Sequence, residues 1–164
     1  MNITLIGMPG AGKSFVGRQL AERLGFAFVE LDRLIEAACG LALPQVLEIL
    51  GDEAFLRHES AVAKANVIIP HGQVISPGGS IIYSEDAMAH LDDLTTVIYL
   101  RVPLEVIEAR IGTTPRGIVG LRGRPLAELY AERTPRYERW SSVTVDGTRP
   151  PDEIVEAIVA QLHP

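Results

Sequence analysis

Apolar residues along this chain follow two alternating rhythms. Short, nearly unbroken apolar runs at Asn2–Ile6, Phe26–Leu31, Gln73–Ser76, Thr96–Leu100 and Ser142–Val145 read as strands. Between them, apolar residues recur every three or four positions, as in Lys13–Leu24, where Val16, Leu20 and Leu24 share one helical face. Similar patterns predict helices at Leu34–Ala38, Pro44–Leu50, Glu53–Ala65, Ser84–Leu91 and Leu104–Ile111. Two more begin at prolines, from Pro125 onward and over Pro151–Leu162, with Asp152 and Glu153 in the last one's first turn. Strands with continuous apolar runs, alternating with helices, predict an α/β fold: a parallel five-stranded sheet with helices on both faces.

Residues 112–124, GTTPRGIVGLRGR, keep neither rhythm. Their glycines and basic residues predict a mobile lid segment. No repeat or linker interrupts the rest, so residues 1–164 are expected to form a single domain, working as a monomer.

Composition narrows the functional classes. With 47% hydrophobic and 22% charged residues the chain has the make-up of a folded domain. A net charge of −6 argues against generic attraction to nucleic acid or to anionic membranes. No apolar stretch approaches the roughly 20 residues of a membrane span, and the N-terminus lacks the basic start of a signal peptide. With a single cysteine, Cys39, neither an intrachain disulfide nor a zinc cluster is expected. Cys39 itself reads as a small core residue, and the cytoplasm is the expected compartment. His58, His71, His90 and His163 lack metal-ligand spacing, and Trp140 is expected to pack against the last strand.

The chemistry sits in Gly7-Met8-Pro9-Gly10-Ala11-Gly12-Lys13-Ser14, which fills the pattern G-x-x-x-x-G-K-[ST]. It follows an apolar strand and opens a helix, the setting its mechanism needs. Glycines let successive N–H groups curl towards phosphate oxygens, and the helix N-terminus adds its dipole. Lys13 should reach the β- and γ-phosphates and the Ser14 hydroxyl should ligate Mg²⁺. This makes the predicted fold P-loop NTPase-type. The nucleotide-binding positions are Gly10, Ala11, Gly12, Lys13, Ser14 and Phe15. A guanine-reading N-K-x-D or T-K-x-D motif is absent, as is an apolar strand ending in Asp. Ser76, after Val74-Ile75, is the nearest counterpart of that Asp.

From residue 5 to 38 the chain, with its ELDRLIE segment, resembles the shikimate kinase family. Later landmarks keep their order: GDEAFLRHE, SPGGS, VIYL, R-T-P-R-Y at 133–137 and VDGTRPP at 145–151. The resemblance implies a kinase that uses ATP and Mg²⁺ to phosphorylate a hydroxyl of a small metabolite, shikimate above all. It assigns Asp32 to the acceptor hydroxyls as orienting group and base, and Glu30 to the metal beside Ser14. It assigns Arg133 to the acceptor carboxylate, and Gly78 and Gly79 to the backbone face against the acceptor. Arg116 becomes the lid arginine that reaches the phosphates, so that Lys13, Asp32 and Arg116 are the catalytic set. Arg110 and the loop containing Arg149 flank the adenine, and Tyr137 anchors its helix.

Three positions depart from the family pattern. Leu56 stands where F-R-x-x-E carries an arginine for the acceptor carboxylate, Pro77 replaces the first of three glycines, and Arg116-Gly117-Ile118-Val119 replaces R-P-L-L. Arg57 cannot replace the missing group, because one residue along a helix turns a side chain by about 100°. Arg136 is a candidate substitute charge. Since two of these three changes touch the acceptor pocket while the ATP side is intact, a kinase for gluconate, homoserine or a nucleoside-type acceptor stays open. So does an ATP-binding module without catalysis.

Overall fold

Every residue of Asn2–Ile6 is buried, so this strand, β1, must be covered on both faces and flanked on both edges. A computed structural model describes residues 1–67, 72–112 and 117–162 of the chain and shows that arrangement. After β1 come α1 (Lys13–Leu24), β2 (Ala27–Glu30), α2 (Leu31–Cys39), α3 (Leu43–Asn66) and β3 (Gln73–Ser76). A short 3-10 helix (Gly79–Tyr83) leads to α4 (Glu85–Leu94), β4 (Thr96–Arg101), α5 (Leu104–Ile111), α6 (Leu126–Trp140), β5 (Val143–Asp146) and α7 (Pro151–Leu162). The five strands order as β2-β3-β1-β4-β5, all parallel. Ile3 sits opposite Val74 on one side and Thr96 on the other, which puts β1 at the centre. No single helix among the described residues is long and apolar enough to cross a membrane.

The main core gathers on the sheet from Ile3, Leu5, Val74, Ile75, Ile98 and Leu100 with residues of the covering helices, among them Leu20, Leu91 and Ile158. Tyr99 and Tyr137 stack with ring centroids 5.2 Å apart, which fixes α6 against β4. Trp140 packs half-buried against this core. A smaller second cluster of Ile35, Val46, Phe55 and Val119 joins α2, α3 and the segment before α6.

Helix boundaries follow local chemistry. Gly25 closes α1 in the left-handed region, returning its N–H to Ala21 and Glu22. The Ser84 hydroxyl caps α4 by accepting from the Ala87 N–H. Three expectations change. The second strand stops at Glu30, and α2 begins at Leu31 rather than Leu34, because Leu31 and Ile35, one turn apart, are both fully buried. The two helices expected at Pro44–Leu50 and Glu53–Ala65 join as α3, with a break at Gly51 (φ 76, ψ 167). Cys39 is exposed, not a core residue. It is the last residue of α2, beyond the buried Leu31–Ile35 face, and its sulfur lies 3.9 Å from His58 Nε2.

The junction of β1 with the loop after it depends on close backbone approach. A Cβ on Gly7 would lie 2.9 Å from the Leu100 carbonyl oxygen, a backbone atom that cannot swing aside. Gly7→Ala is therefore expected to cost about 1–3 kcal/mol through overpacking. At about 2–4 °C per kcal/mol for a chain of this size, the melting temperature falls by several degrees. An unchanged melt would show that β1 and β4 can separate without penalty.

Candidate active site

The glycine-rich turn between β1 and α1 curls because Gly10 and Gly12 adopt φ of 83° and 91°, a region costly for any residue with a Cβ. Lys13 Nζ donates to the carbonyls of Gly7 and Met8, both at 2.8 Å, which holds the ammonium over the loop that precedes it. One residue on, the Ser14 hydroxyl donates to Glu30 Oε1 at 2.8 Å. The two positions assigned to the metal thus meet, although they come from α1 and from the end of β2. A hydroxyl and a carboxylate are hard oxygen donors, the kind Mg²⁺ takes in small number alongside phosphate oxygens.

These residues form one end of a cleft of about 670 Å³. Phe15, 60% exposed, stands on its rim. Arg110 lines it too, and ties two loop segments together. Its Nη1 donates to Gly10 and Ala11 carbonyls at 3.1 and 3.3 Å, and its Nη2 to the Gly147 carbonyl at 3.2 Å. Arg149 is not brought into this cleft. It lines a separate hollow beside β5 and α7, with Glu153 at 3.9 Å. Arg116 lies outside the described residues, as do His71 and His163.

The opposite end of the cleft is built on bare backbone. A Cβ on Gly78 would come within 2.7 Å of Glu59 Oε2 and 3.0 Å of Asp32 Oδ1, so two carboxyl groups converge on that glycine. A Cβ on Gly79 would lie 3.0 Å from Arg133 Nη1 and 3.1 Å from the Gly7 carbonyl. The Gly79 carbonyl accepts from the Tyr137 hydroxyl at 2.7 Å, which anchors α6 to this strip as expected. Pro77, the departure in the glycine run, also lines the cleft. Arg133 is almost wholly buried, its Nη2 donating to the Val119 carbonyl at 2.7 Å and its guanidinium 5.3 Å above the Tyr83 ring. Arg133 Nε and Asp32 Oδ1 are buried without a hydrogen-bond partner. A donor and an acceptor in one cleft, both left over, mark where a polar ligand belongs.

Burial raises the Asp32 carboxyl above its ordinary range, against the pull of Lys13. For Glu59, burial, with the charge of Asp32 adding to it, pushes the value up to about 8. Sequence reading passed over Glu59. The signal was present: Phe55 and Glu59, four residues apart, share one face of α3 and both line the cleft. Leu56, turned away by one step of the helix, packs half-buried against the second cluster. Arg57 points out to Glu53 at 3.0 Å. Arg136 is not the substitute charge it seemed from the sequence. It lies 5.0 Å above the Tyr83 ring and does not line the cleft.

A central parallel sheet, a phosphate-type loop after its middle strand and a polar cleft beside that loop define a P-loop nucleotide-binding protein with room for a second small molecule. The family model for shikimate kinase matches residues 9–163. The shikimate kinase of Neisseria meningitidis serogroup C (strain 053442) is 37% identical over 147 residues, covering 88% of this chain and 86% of that protein. That of Thiobacillus denitrificans (strain ATCC 25259 / T1) is 38% identical over 151 residues, covering 90% and 82%. Among solved structures, shikimate kinase from Acinetobacter baumannii in complex with shikimate superposes with a TM-score of 0.89 at 28% identity, covering 98% of this chain and 92% of that one. The chain belongs to the shikimate kinase family, and it is a small-molecule kinase.

Glu59 gives the site a pH signature in stability. The folded protein keeps this proton up to about pH 8, whereas an ordinary glutamate releases it near 4.5. Its contribution to stability is therefore complete below the lower value and is lost as pH rises through the higher one. Glu59→Gln preserves shape but cannot ionise. The variant's melting temperature should gain on wild type as pH is raised through this window. A difference that stays constant with pH would mean that Glu59 is ionised in the fold throughout.

Proposed function

We propose that the protein transfers the γ-phosphoryl group of ATP to a hydroxyl of shikimate, with Mg²⁺. The observation that carries this reading is that two groups with an unpartnered atom flank the bare Gly78–Gly79 strip: Asp32, whose Oδ1 lies against Gly78, and Arg133, whose Nη1 lies against Gly79 while its Nε has no partner. A compact acid with several hydroxyls satisfies both, its carboxylate on Arg133 and a hydroxyl on Asp32. On this reading Asp32 orients the attacking hydroxyl and takes its proton as the bond to phosphorus forms. The backbone N–H groups of residues 10–15 cradle the phosphates, and Lys13 follows the charge that develops on them. Ser14 and Glu30 would hold Mg²⁺, which would supply positive charge beside the phosphates. Phe15, Arg110 and the loop of Arg149 lie on the nucleotide side.

Residues 112–124 act as a lid in this scheme, bringing Arg116 over the phosphates. Support comes from the described part of the segment. Gly117, Ile118 and Val119 line the cleft, and the Gly120 N–H donates to Asp52 Oδ2 at 3.2 Å. Every residue invoked comes from this chain, so the reading needs no second subunit, nucleic acid or membrane, and it fits a cytoplasmic enzyme. A second reading, a kinase for gluconate, homoserine or a nucleoside-type acceptor, is favoured by the departures at Leu56 and at Pro77, the latter in the wall of the cleft.

The deciding experiment is an ADP-release assay over shikimate, gluconate, homoserine and nucleosides. Turnover of shikimate well above the others is expected, and preference for another acceptor would replace the first reading with the second. Lys13→Ala should abolish turnover in a protein that still folds. Full activity there would remove the phosphoryl-transfer reading. Asp32→Asn should lower kcat by about 10²–10⁴ while nucleotide affinity holds within a few-fold. Loss of nucleotide binding with no separate effect on transfer would make Asp32 a structural residue.

A further inference from the structure

The acceptor end of the cleft holds one more carboxyl group than phosphoryl transfer requires. Asp32 serves the attacking hydroxyl, yet Glu59 sits beside it, 1% exposed, on the same face of Gly78. Arg133 is the one buried arginine among the described residues, and it does not pair with Glu59. The hydrogen bonds of Glu59 come from the Ser80 hydroxyl, at 3.0 Å to Oε1 and 3.1 Å to Oε2. A buried carboxyl held by a neutral hydroxyl, with an acid for a neighbour, is unlike an ion-paired structural glutamate.

We propose that Glu59 is a specificity-determining residue, whose carboxyl group, set by Ser80 beside Asp32, decides whether the pocket admits an acceptor that carries a carboxylate. The proposal rests on the reading of the cleft as a hydroxy-acid site. Charge makes the argument. With Glu59 neutral, the acceptor end carries Asp32 against Arg133, and an incoming carboxylate meets one competing anion rather than two. A neutral carboxyl also offers an O–H donor to the ligand. With Glu59 ionised, the same small space holds two carboxylates and one guanidinium, and a third anion is repelled.

The groups that face Glu59 support the neutral form at neutral pH. Burial and Asp32 from α2 push its ionisation up to about 8, whereas Ser80, Arg133 from α6 and Lys13 from α1 pull it down without overcoming them. The partners of its own helix, Arg57 and Glu53, are exposed and paired with each other. An anionic acceptor therefore binds the protonated pocket and holds that proton in place.

The test is the pH dependence of KM for shikimate, at saturating ATP, from about pH 6.5 to 9.5, in wild type, Glu59→Gln and Ser80→Ala. In wild type KM should be level below about pH 8 and then rise towards tenfold per pH unit, with kcat level because bound acceptor restores the proton. Glu59→Gln should abolish the rise. Ser80→Ala removes a hydrogen bond that favours the ionised form, so its rise should begin at higher pH. A purely structural role for Glu59 would alter melting but give neither displacement. If Glu59→Gln fails to fold, the Ser80→Ala shift still decides. Turnover of shikimate with a KM level across the range, or a rise that survives in Glu59→Gln, would overturn the proposal and leave the function intact. Absence of turnover on shikimate at every pH would overturn both.

Discussion

The two ends of the cleft are held at a fixed spacing by one contact between stretches of bare backbone. Gly79 lies so close to the glycine-rich loop that a Cβ there would meet Pro9 at 2.9 Å and the Gly7 carbonyl at 3.1 Å. Gly7 in turn lies against the Leu100 carbonyl of β4. The central strand, its neighbour and the strip after β3 are thereby stacked through atoms that leave no slack. Phosphoryl transfer needs donor and acceptor within near-attack distance, and this contact sets that distance before any ligand arrives.

On this frame the charged groups divide by the company they keep. Lys13 and Arg110 are spent on backbone carbonyls, where they shape the loop. Asp32 and Arg133 each keep an atom in reserve, and reserve of this kind is tolerated in a buried place because a ligand completes it. The surface ion pairs, such as Arg101–Glu138 and Arg139–Glu85, are exposed and contribute little to the fold.

Much of this was legible in the sequence because some chemistry demands neighbours in the chain. The phosphate loop is contiguous, so residues 7–14 could be read in place, and five strands of apolar residues announced a sheet covered on both faces. The meeting of Ser14 with Glu30 came through family resemblance, since nothing local to residue 30 reveals it. Glu59, Ser80 and Arg133 come from three separate elements, and only the packed sheet brings them together. Cys39 misled because its neighbours in sequence are apolar, whereas its burial depends on where α2 ends. Arg136 misled for a similar reason: its reach is taken up by the Tyr83 ring.

The break at Gly51 has a mechanical meaning. The first half of α3, residues 43–50, rests on the small second cluster through Val46 and leaves Ile49 70% exposed, while the second half is tied to the sheet through Ala63. Its hold on the molecule is thus separate from that of the main core. A loosening of the small cluster would therefore release this half-helix before it disturbed the sheet. Because Val119 belongs to the same small cluster, such a loosening would free the wall of the cleft next to Arg133. The wall beside the acceptor end thus leans on the small cluster rather than on the main core.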